Sequence, residues 1–173
     1  IYRRTFHNGD HIESDTSLDW AGNFAHMLGI EGEEFKSLMR LYLTIQADHE
    51  GGNASAHTTH LVASTLSDPY YPFAAGMTAL AWPLQCLASQ KVIKWIFEMV
   101  ETLGTTKPNE EQIKKYIQDT LASGKVIPGY GHAVLRQPDP RFTAQKVFAE
   151  ENIKDDDYVN IVWKLFDTVP EIL

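Results

Sequence analysis

The stretch from residue 48 to residue 70 reads DHEGGNASAHTTHLVASTLSDPY, and it gives the clearest indication of the fold. The pair Gly51-Gly52 interrupts a helical pattern, because glycine is unfavourable inside helices and permits sharp turns. Asn53 or Ser55 can then cap a new helix, which stops before Asp68-Pro69. This order of break, cap and stop predicts two helices that are joined by a tight glycine turn.

Helical patterns also extend on both sides of this stretch. Apolar residues recur three and four positions apart, which is the spacing that one face of a helix requires. Ser17 is the predicted N-cap of one such helix, which Gly29 ends. Further helices are predicted at 33–45, 73–80, 87–103, 108–121, 143–149 and 158–166. Two of them have predicted apolar faces, which are Val92, Ile93, Ile96, Phe97 and Val100 on 87–103 and Ile113, Tyr116, Ile117 and Leu121 on 108–121. The small apolar residues of 73–80 predict a buried helix, and the chain as a whole is predicted to be all-α.

Composition limits the class of protein. Of the 173 residues, 43% are hydrophobic and 22% are charged, which is typical of a globular protein. The net charge of -8 argues against a nucleic-acid-binding protein with a broad basic surface. Cys86 is the single cysteine, so no intrachain disulfide can form. No run reaches the roughly 20 apolar residues of a membrane-spanning helix, so we expect no membrane span.

His49 is the first candidate for chemistry. Gly51-Gly52 lie just after it, so the backbone can turn sharply against a small anion while the imidazole binds that anion or transfers a proton. Alternatively, His49 caps the last carbonyl groups of its helix, where the helix dipole favours a cation. The residues alone leave both interpretations open.

A second pair of histidines has the spacing of metal ligands. His57 and His60 are three residues apart and are predicted to share one face of a helix. No Glu or Cys joins them in an HExxH or CxxC pattern, however. The pattern therefore favours structural histidines, and we predict no metal site.

The segment from residue 126 to residue 132, VIPGYGH, is too rich in glycine and proline to be helical. Its backbone N–H groups and the imidazole of His132 could approach one small anion together. Arg136 and Arg141 follow within ten residues, with Asp139-Pro140 holding a turn between them. Two guanidinium groups beside an imidazole suit carboxylates or phosphates, although a solvated basic turn after a loop histidine is the alternative.

Two long motifs carry a family resemblance. The stretch 48–70, together with VIPGYGHAVLRQPDPRF at 126–142, resembles the eukaryotic-type citrate synthase family. The resemblance implies an almost wholly helical fold in which a large and a small domain close over the substrates of a homodimer. Residues 1–86 would then belong to the large domain and residues 87–173 to the small, CoA-binding domain. Both domains are expected to be incomplete, because the chain covers well under half of a family member.

The resemblance also implies an activity. Family members condense acetyl-CoA with oxaloacetate to citrate, and close relatives use longer acyl-CoAs to make methylcitrate or alkylcitrates, without a metal or bound cofactor. The oxaloacetate site is carried over onto His49, His132 and Arg141, where His132 also polarises the ketone. The CoA site is carried over onto Arg136, Val126, Pro128, Gly129, Tyr130 and Gly131. A location in the mitochondrial matrix is expected, with the peroxisome or cytoplasm as alternatives.

The chain departs from the family where catalysis is concentrated. The family motif GPLHG is replaced by Trp82-Pro83-Leu84-Gln85-Cys86, so Gln85 stands where a histidine stabilises the enol of acetyl-CoA. Gln46 also occupies the position of a second histidine near the oxaloacetate pocket. An impaired acyltransferase is the first hypothesis, and a non-catalytic structural or assembly subunit is the second. The third is that the altered motif comes from an incorrectly derived coding sequence or from a pseudogene.

Overall fold

The computed structural model describes residues 1–47, 51–81, 87–131 and 137–173. Within these ranges the secondary structure is helical and contains no strand, which confirms the all-α prediction. The helices are α1 (Tyr2–Phe6), α2 (Trp20–Leu28), α3 (Glu33–Gln46), α4 (Ala54–Ala63), α5 (Tyr70–Leu80), α6 (Leu87–Leu103), α7 (Glu110–Ala122), α8 (Pro140–Asn152) and α9 (Asp157–Ile172).

Helix α2 begins later than the sequence indicates. The N-cap is Asp19, whose carboxylate accepts a hydrogen bond from the backbone N–H of Gly22 at 2.7 Å. Ser17, the predicted cap, instead donates its hydroxyl to the carboxylate of Asp15 at 2.6 Å. The Ser17 prediction is therefore wrong by two residues, because both residue types can cap a helix and the nearer one, Asp19, does so.

The first compact unit comprises residues 1–49 and 138–154. Within it α3 packs against both α2 and α8. Among its described residues the fully buried ones are small, and they are Ala21, Gly22, Ala25 and Ala149. An ion pair in which Arg40 Nε lies 2.7 Å from Asp19 Oδ2 also joins α3 to the start of α2. This unit is thus held by close helix packing and polar contacts rather than by large apolar side chains.

The second compact unit comprises residues 50–137 and 155–173. Its apolar core is formed by α6, α7, α9 and the segment before Pro128. The core residues are Trp95, Ile96, Met99, Ile113, Ile117, Ile127, Ile161, Leu165 and Val169. Helix α7 starts with a capping box in which Asn109 and Gln112 exchange hydrogen bonds at 2.9 Å. The apolar core and the capping box of α7 thus stabilise this unit.

The buried face of α6 differs from the predicted apolar face. The spacing indicates a face that includes Ile93, Ile96 and Phe97, but Ile93 and Phe97 are each 53% exposed. Trp95 and Met99 occupy the core in their place. Helix α6 carries apolar residues around most of its circumference, so spacing alone does not identify the buried side.

Helices α4 and α5 form the pair of the second unit with the most extensive mutual packing. Asn53, one of the two caps that the sequence allows, caps α4 by accepting the N–H of Ala56 at 2.8 Å. Gly76 allows the two helices to approach, because an added Cβ would overlap Thr59 Oγ1 and lie 3.3 Å from the carbonyl oxygen of Ser55. The prediction that 73–80 is a buried helix is wrong for most of its length, since only the side that faces α4 is buried.

The described ranges contain no helix that is long and apolar enough to cross a membrane. The predicted division into residues 1–86 and 87–173 concerns the domains of a longer family fold. The two compact units are defined by contacts within this chain alone. They therefore do not test the division into family domains, which stays a prediction.

Candidate functional site

The sequence Asp139-Pro140-Arg141 forms the start of α8. Asp139 is the N-cap, and its carboxylate accepts the backbone N–H of Arg141 at 2.9 Å. Pro140 suits the first helical position, because it has no N–H to leave unpaired and its φ is already helical. The cap therefore fixes where the Arg141 side chain leaves the helix.

The same carboxylate also holds the guanidinium group of Arg141. Arg141 Nε donates to Asp139 Oδ1 at 3.1 Å, and Nη2 donates to Oδ2 at 2.7 Å, which is a bidentate arrangement. The two side chains are 27% and 22% exposed, so the pair is accessible from solvent at one edge. The hydrogen bonds that Arg141 donates to Asp139 raise the pKa of Arg141 above its ordinary value, against a smaller effect of burial. Arg141 thus stays charged and has a fixed orientation.

A third contact comes from the last residue of α3. Arg141 Nη1 donates to Gln46 Oε1 at 2.9 Å, although the two residues are 95 positions apart in sequence. Of the five guanidinium N–H groups, three are then engaged by Asp139 and Gln46, and one on each Nη atom has no acceptor among the described residues. Charged guanidinium N–H groups are donors that suit a carboxylate ligand.

Arg141 is the predicted oxaloacetate residue that the structure describes. His49 and His132, its predicted partners, lie outside the described residues, as do Gln85 and Arg136. The sequence predicts Asp139 only as part of a turn, whereas in the structure its carboxylate also binds the guanidinium group of Arg141. The signal was available, since an acidic N-cap followed by proline and arginine places both groups at one helix terminus.

The predicted CoA-binding segment belongs to the second unit. Ile127 is 2% exposed and anchors the segment in the apolar core, whereas Val126 before it is 80% exposed. Burial, together with the nearby charge of Asp167, raises the pKa of Tyr130 to about 12. Tyr130 is therefore a neutral phenol that packs against the core.

Glycine is required at one position of this segment. Gly129 has φ 87°, in the left-handed region that side chains disfavour, and an added Cβ would lie 3.0 Å from Val92 Cγ2. Gly131 also has a positive φ, of 83°. The segment between Val126 and Gly131 is non-helical, as predicted, and its backbone is shaped by glycine. Contacts of Val126, Pro128, Gly129, Tyr130 and Gly131 with CoA stay a prediction.

The two histidines with metal-like spacing are both exposed on α4. His60 lies beside Gly51, where an added Cβ would be 2.8 Å from the imidazole Cε1. In the part of the chain that the structure describes, no three His, Cys, Asp or Glu side chains gather in a way that could hold a metal ion. His60 therefore acts here as packing for the glycine turn.

Comparison with known proteins identifies the family. The family model described as citrate synthase, C-terminal domain, matches residues 1–173, the whole chain. The chain belongs to the citrate synthase family. It is 55% identical over 173 residues to citrate synthase 4, mitochondrial, of Arabidopsis thaliana, covering 100% of this chain and 36% of that protein. It is 54% identical over 174 residues to the probable mitochondrial citrate synthase of Glossina morsitans morsitans, covering 100% of this chain and 37% of that protein.

Solved structures agree with the citrate synthase fold. The citrate synthase of Thermotoga maritima superposes with a TM-score of 0.78 at 27% identity, covering 98% of this chain and 45% of that chain. The citryl-CoA lyase of Hydrogenobacter thermophilus has a TM-score of 0.71 at 23% identity, covering 91% of this chain and 58% of that chain, and it supports the fold alone. The chain spans little more than a third of the length of the curated relatives it matches, from 36% to 37% in the two above.

Proposed function

We propose that the protein containing this chain is an acyl-CoA:oxaloacetate acyltransferase of the mitochondrial matrix. The observation that carries the proposal is the Arg141 arrangement, in which Asp139 and Gln46 orient a charged guanidinium group that has two N–H groups without an acceptor among the described residues. The names of the mitochondrial relatives support the location. Oxaloacetate carries two carboxylates, and a net-acidic chain needs such a local cation to bind it.

The proposed reaction joins the α-carbon of the acyl-CoA, the methyl carbon in acetyl-CoA, to the ketone carbon of oxaloacetate. A base removes a proton from this α-carbon, the resulting enol attacks the ketone, and the ketone oxygen becomes a hydroxyl. Water then cleaves the thioester and releases the CoA thiol. In this scheme Arg141 and His49 bind oxaloacetate and His132 polarises its ketone. Arg136 and the segment 126–131 bind CoA.

Gln85 is expected to limit this chemistry. Glutamine can donate a hydrogen bond to the thioester carbonyl, but it cannot transfer a proton as an imidazole does. Losing a general acid or base costs on the order of a hundred- to ten-thousand-fold in rate. Trp82 and Cys86 add bulk where the family has glycine. A non-catalytic subunit of a larger assembly is the alternative function, and Gln85 is the feature that favours it.

Thiol release distinguishes these two functions. The full-length protein is assayed with oxaloacetate and acetyl-, propionyl- or hexanoyl-CoA, beside Gln85→His and the triple variant Trp82→Gly, Gln85→His, Cys86→Gly. We expect slow release by the unaltered protein and at least a hundredfold gain in the triple variant. Comparable rates in both would contradict the impaired-enzyme hypothesis. The absence of any release, even in the triple variant, would favour the structural subunit.

Direct binding tests the role of Arg141. Oxaloacetate is titrated into the full-length protein and into Arg141→Met, with Arg4→Met as a matched control on the exposed surface of α1. We expect Arg141→Met to weaken oxaloacetate binding by about a hundredfold, because a carboxylate loses a charge-assisted pair of hydrogen bonds. Arg4→Met is expected to bind like the unaltered protein, and an equal loss in both variants would remove Arg141 from the site.

Exposed apolar side chains support a homodimer. The pair α4–α5 exposes Leu61, Tyr70, Tyr71 and Phe73, with exposed fractions of 63%, 82%, 69% and 67%. Several large exposed apolar side chains on one helix pair are consistent with an interface, because large apolar patches mark interaction sites. In this proposal the face packs against a second copy. Sedimentation of the full-length protein and of Tyr71→Asp tests it, and a dimer that survives Tyr71→Asp unchanged would exclude this face.

A further inference from the structure

The contact between Gln46 and Arg141 assigns a role to a residue that departs from its family. Arg141 carries only donors on its guanidinium group, so the amide oxygen of Gln46 must face it. The Gln46 side chain thus supplies an acceptor to Arg141 Nη1 from the end of α3. We propose that Gln46 is a positioning residue for Arg141, which it holds in the orientation that binds an oxaloacetate carboxylate. The inference rests on the proposed function.

The clamp around Arg141 has two sides with different chemistry. Asp139 holds the edge formed by Nε and Nη2, with distances of 3.1 and 2.7 Å. Gln46 holds the opposite Nη1 at 2.9 Å. A guanidinium group that is held at one edge can still swing about its side-chain torsions, whereas contacts at both edges fix its plane. Gln46 therefore determines the direction in which the two unengaged N–H groups point.

The neutrality of Gln46 matters because Asp139 already compensates the charge of Arg141. An acidic residue at position 46 would supply the same acceptor. Together with Asp139 and Arg141 it would form a trio with a net negative charge, which repels a dicarboxylate. A neutral histidine would accept from Arg141 through one ring nitrogen. Leucine would supply no acceptor. Three substitutions at one exposed position thus separate orientation from charge.

Calorimetric titration of oxaloacetate into the full-length protein tests the proposal. The variants are Gln46→Leu, Gln46→Glu and Gln46→His, with Gln118→Leu on the exposed surface of α7 as the matched control. We expect Gln46→Leu to weaken oxaloacetate binding about tenfold, the effect of losing a hydrogen bond to a charged group. Gln46→Glu is expected to weaken it further, while Gln46→His at about pH 8 binds within about threefold of the unaltered protein. Acyl-CoA affinity is expected to be unchanged in all four variants.

The outcomes separate this inference from the proposed function. If Gln46→Leu binds oxaloacetate as tightly as the unaltered protein while Arg141→Met does not, the positioning role is overturned and the proposed function stands. If Gln46→Leu loses oxaloacetate and acyl-CoA affinity equally, Gln46 has a general structural role and the inference is also overturned. If the unaltered protein binds acyl-CoA but no oxaloacetate, the proposed function and the inference that rests on it are both overturned.

Discussion

The polar clamp around Arg141 and the apolar core of α6, α7 and α9 are built on opposite principles. Core side chains such as Ile113 and Ile117 are 0% exposed and gain stability by leaving water. The clamp keeps Arg141 at 27% exposure and obtains its order from directional hydrogen bonds. The core should therefore determine whether the protein stays folded, and the clamp whether it binds its ligand.

Truncation in the core gives the largest expected change in stability. Ile117→Ala removes a fully buried side chain between α7 and its neighbours and leaves a cavity, which costs about 3 kcal/mol of unfolding free energy. Ile93→Ala, on the half-exposed side of α6, is the matched control and is expected to cost less than about 1 kcal/mol. Urea unfolding of the full-length protein measures both. Equal losses would show that exposure does not report the energetic core.

Filling the space at Gly76 tests the close approach of α4 and α5. Gly76→Val places atoms against Thr59 and the backbone of Ser55, and we expect a loss of about 2 kcal/mol from overpacking. Ala74→Val introduces the same β-branched side chain on an exposed position of α5, so it carries only the small helix-propensity cost. Thermal unfolding compares the two variants. A stability of Gly76→Val that matches Ala74→Val would contradict the steric role of Gly76.

Sequence patterns predicted the core better than they predicted the clamp. The bounds of α6 and the apolar positions Ile113 and Ile117 follow from helical spacing and are confirmed. Spacing failed on α6 itself, where apolar residues surround the helix and only packing selects Trp95 over Phe97. It also failed on α5, because small apolar residues indicate close approach on one side and do not establish burial on all sides.

The candidate site shows a different limit. Arg141 was predicted as a ligand-binding residue from its motif, and its accessible, clamped guanidinium group supports that hypothesis. Its contact with Gln46 spans 95 residues, and no local pattern encodes a pairing at that distance. Asp139 could be recognised as a turn residue, but its second role depends on the rotamer that Arg141 adopts. Local caps follow from neighbouring residues, whereas long-range hydrogen bonds follow only from the packed fold.

Two substitutions at Asp139 separate its roles as helix cap and as clamp. Asp139→Asn keeps a capping oxygen and is expected to lower stability by only a few tenths of a kcal/mol, whereas Asp139→Ala loses the cap and costs about 1 kcal/mol. Both variants release Nε and Nη2 of Arg141 from a carboxylate, so oxaloacetate binding is expected to weaken in both. Unfolding and ligand titration are measured on the same samples. If binding follows stability, with Asp139→Asn unaffected in both, the clamp has no separate role.

Ionisation of Tyr130, which lies in the predicted CoA segment beside the apolar core, gives the smallest expected effect. Burial holds its pKa at about 12 in the folded protein, against 10.0 for the free phenol. Between these values the unfolded chain loses the proton and the folded chain keeps it, so this contribution to stability is present below about pH 10 and is lost as pH rises towards 12.

The variant Tyr130→Phe, which lacks the phenol hydroxyl, tests this pH dependence. The urea midpoint of the unaltered protein should therefore fall more steeply between about pH 10 and pH 12 than that of Tyr130→Phe, while Tyr70→Phe, at an 82% exposed position, controls for the loss of one phenol. Parallel pH dependence in the unaltered protein and Tyr130→Phe would mean that the Tyr130 ring is solvated, and that the segment from Val126 to Gly131 is not anchored in the core as its burial indicates.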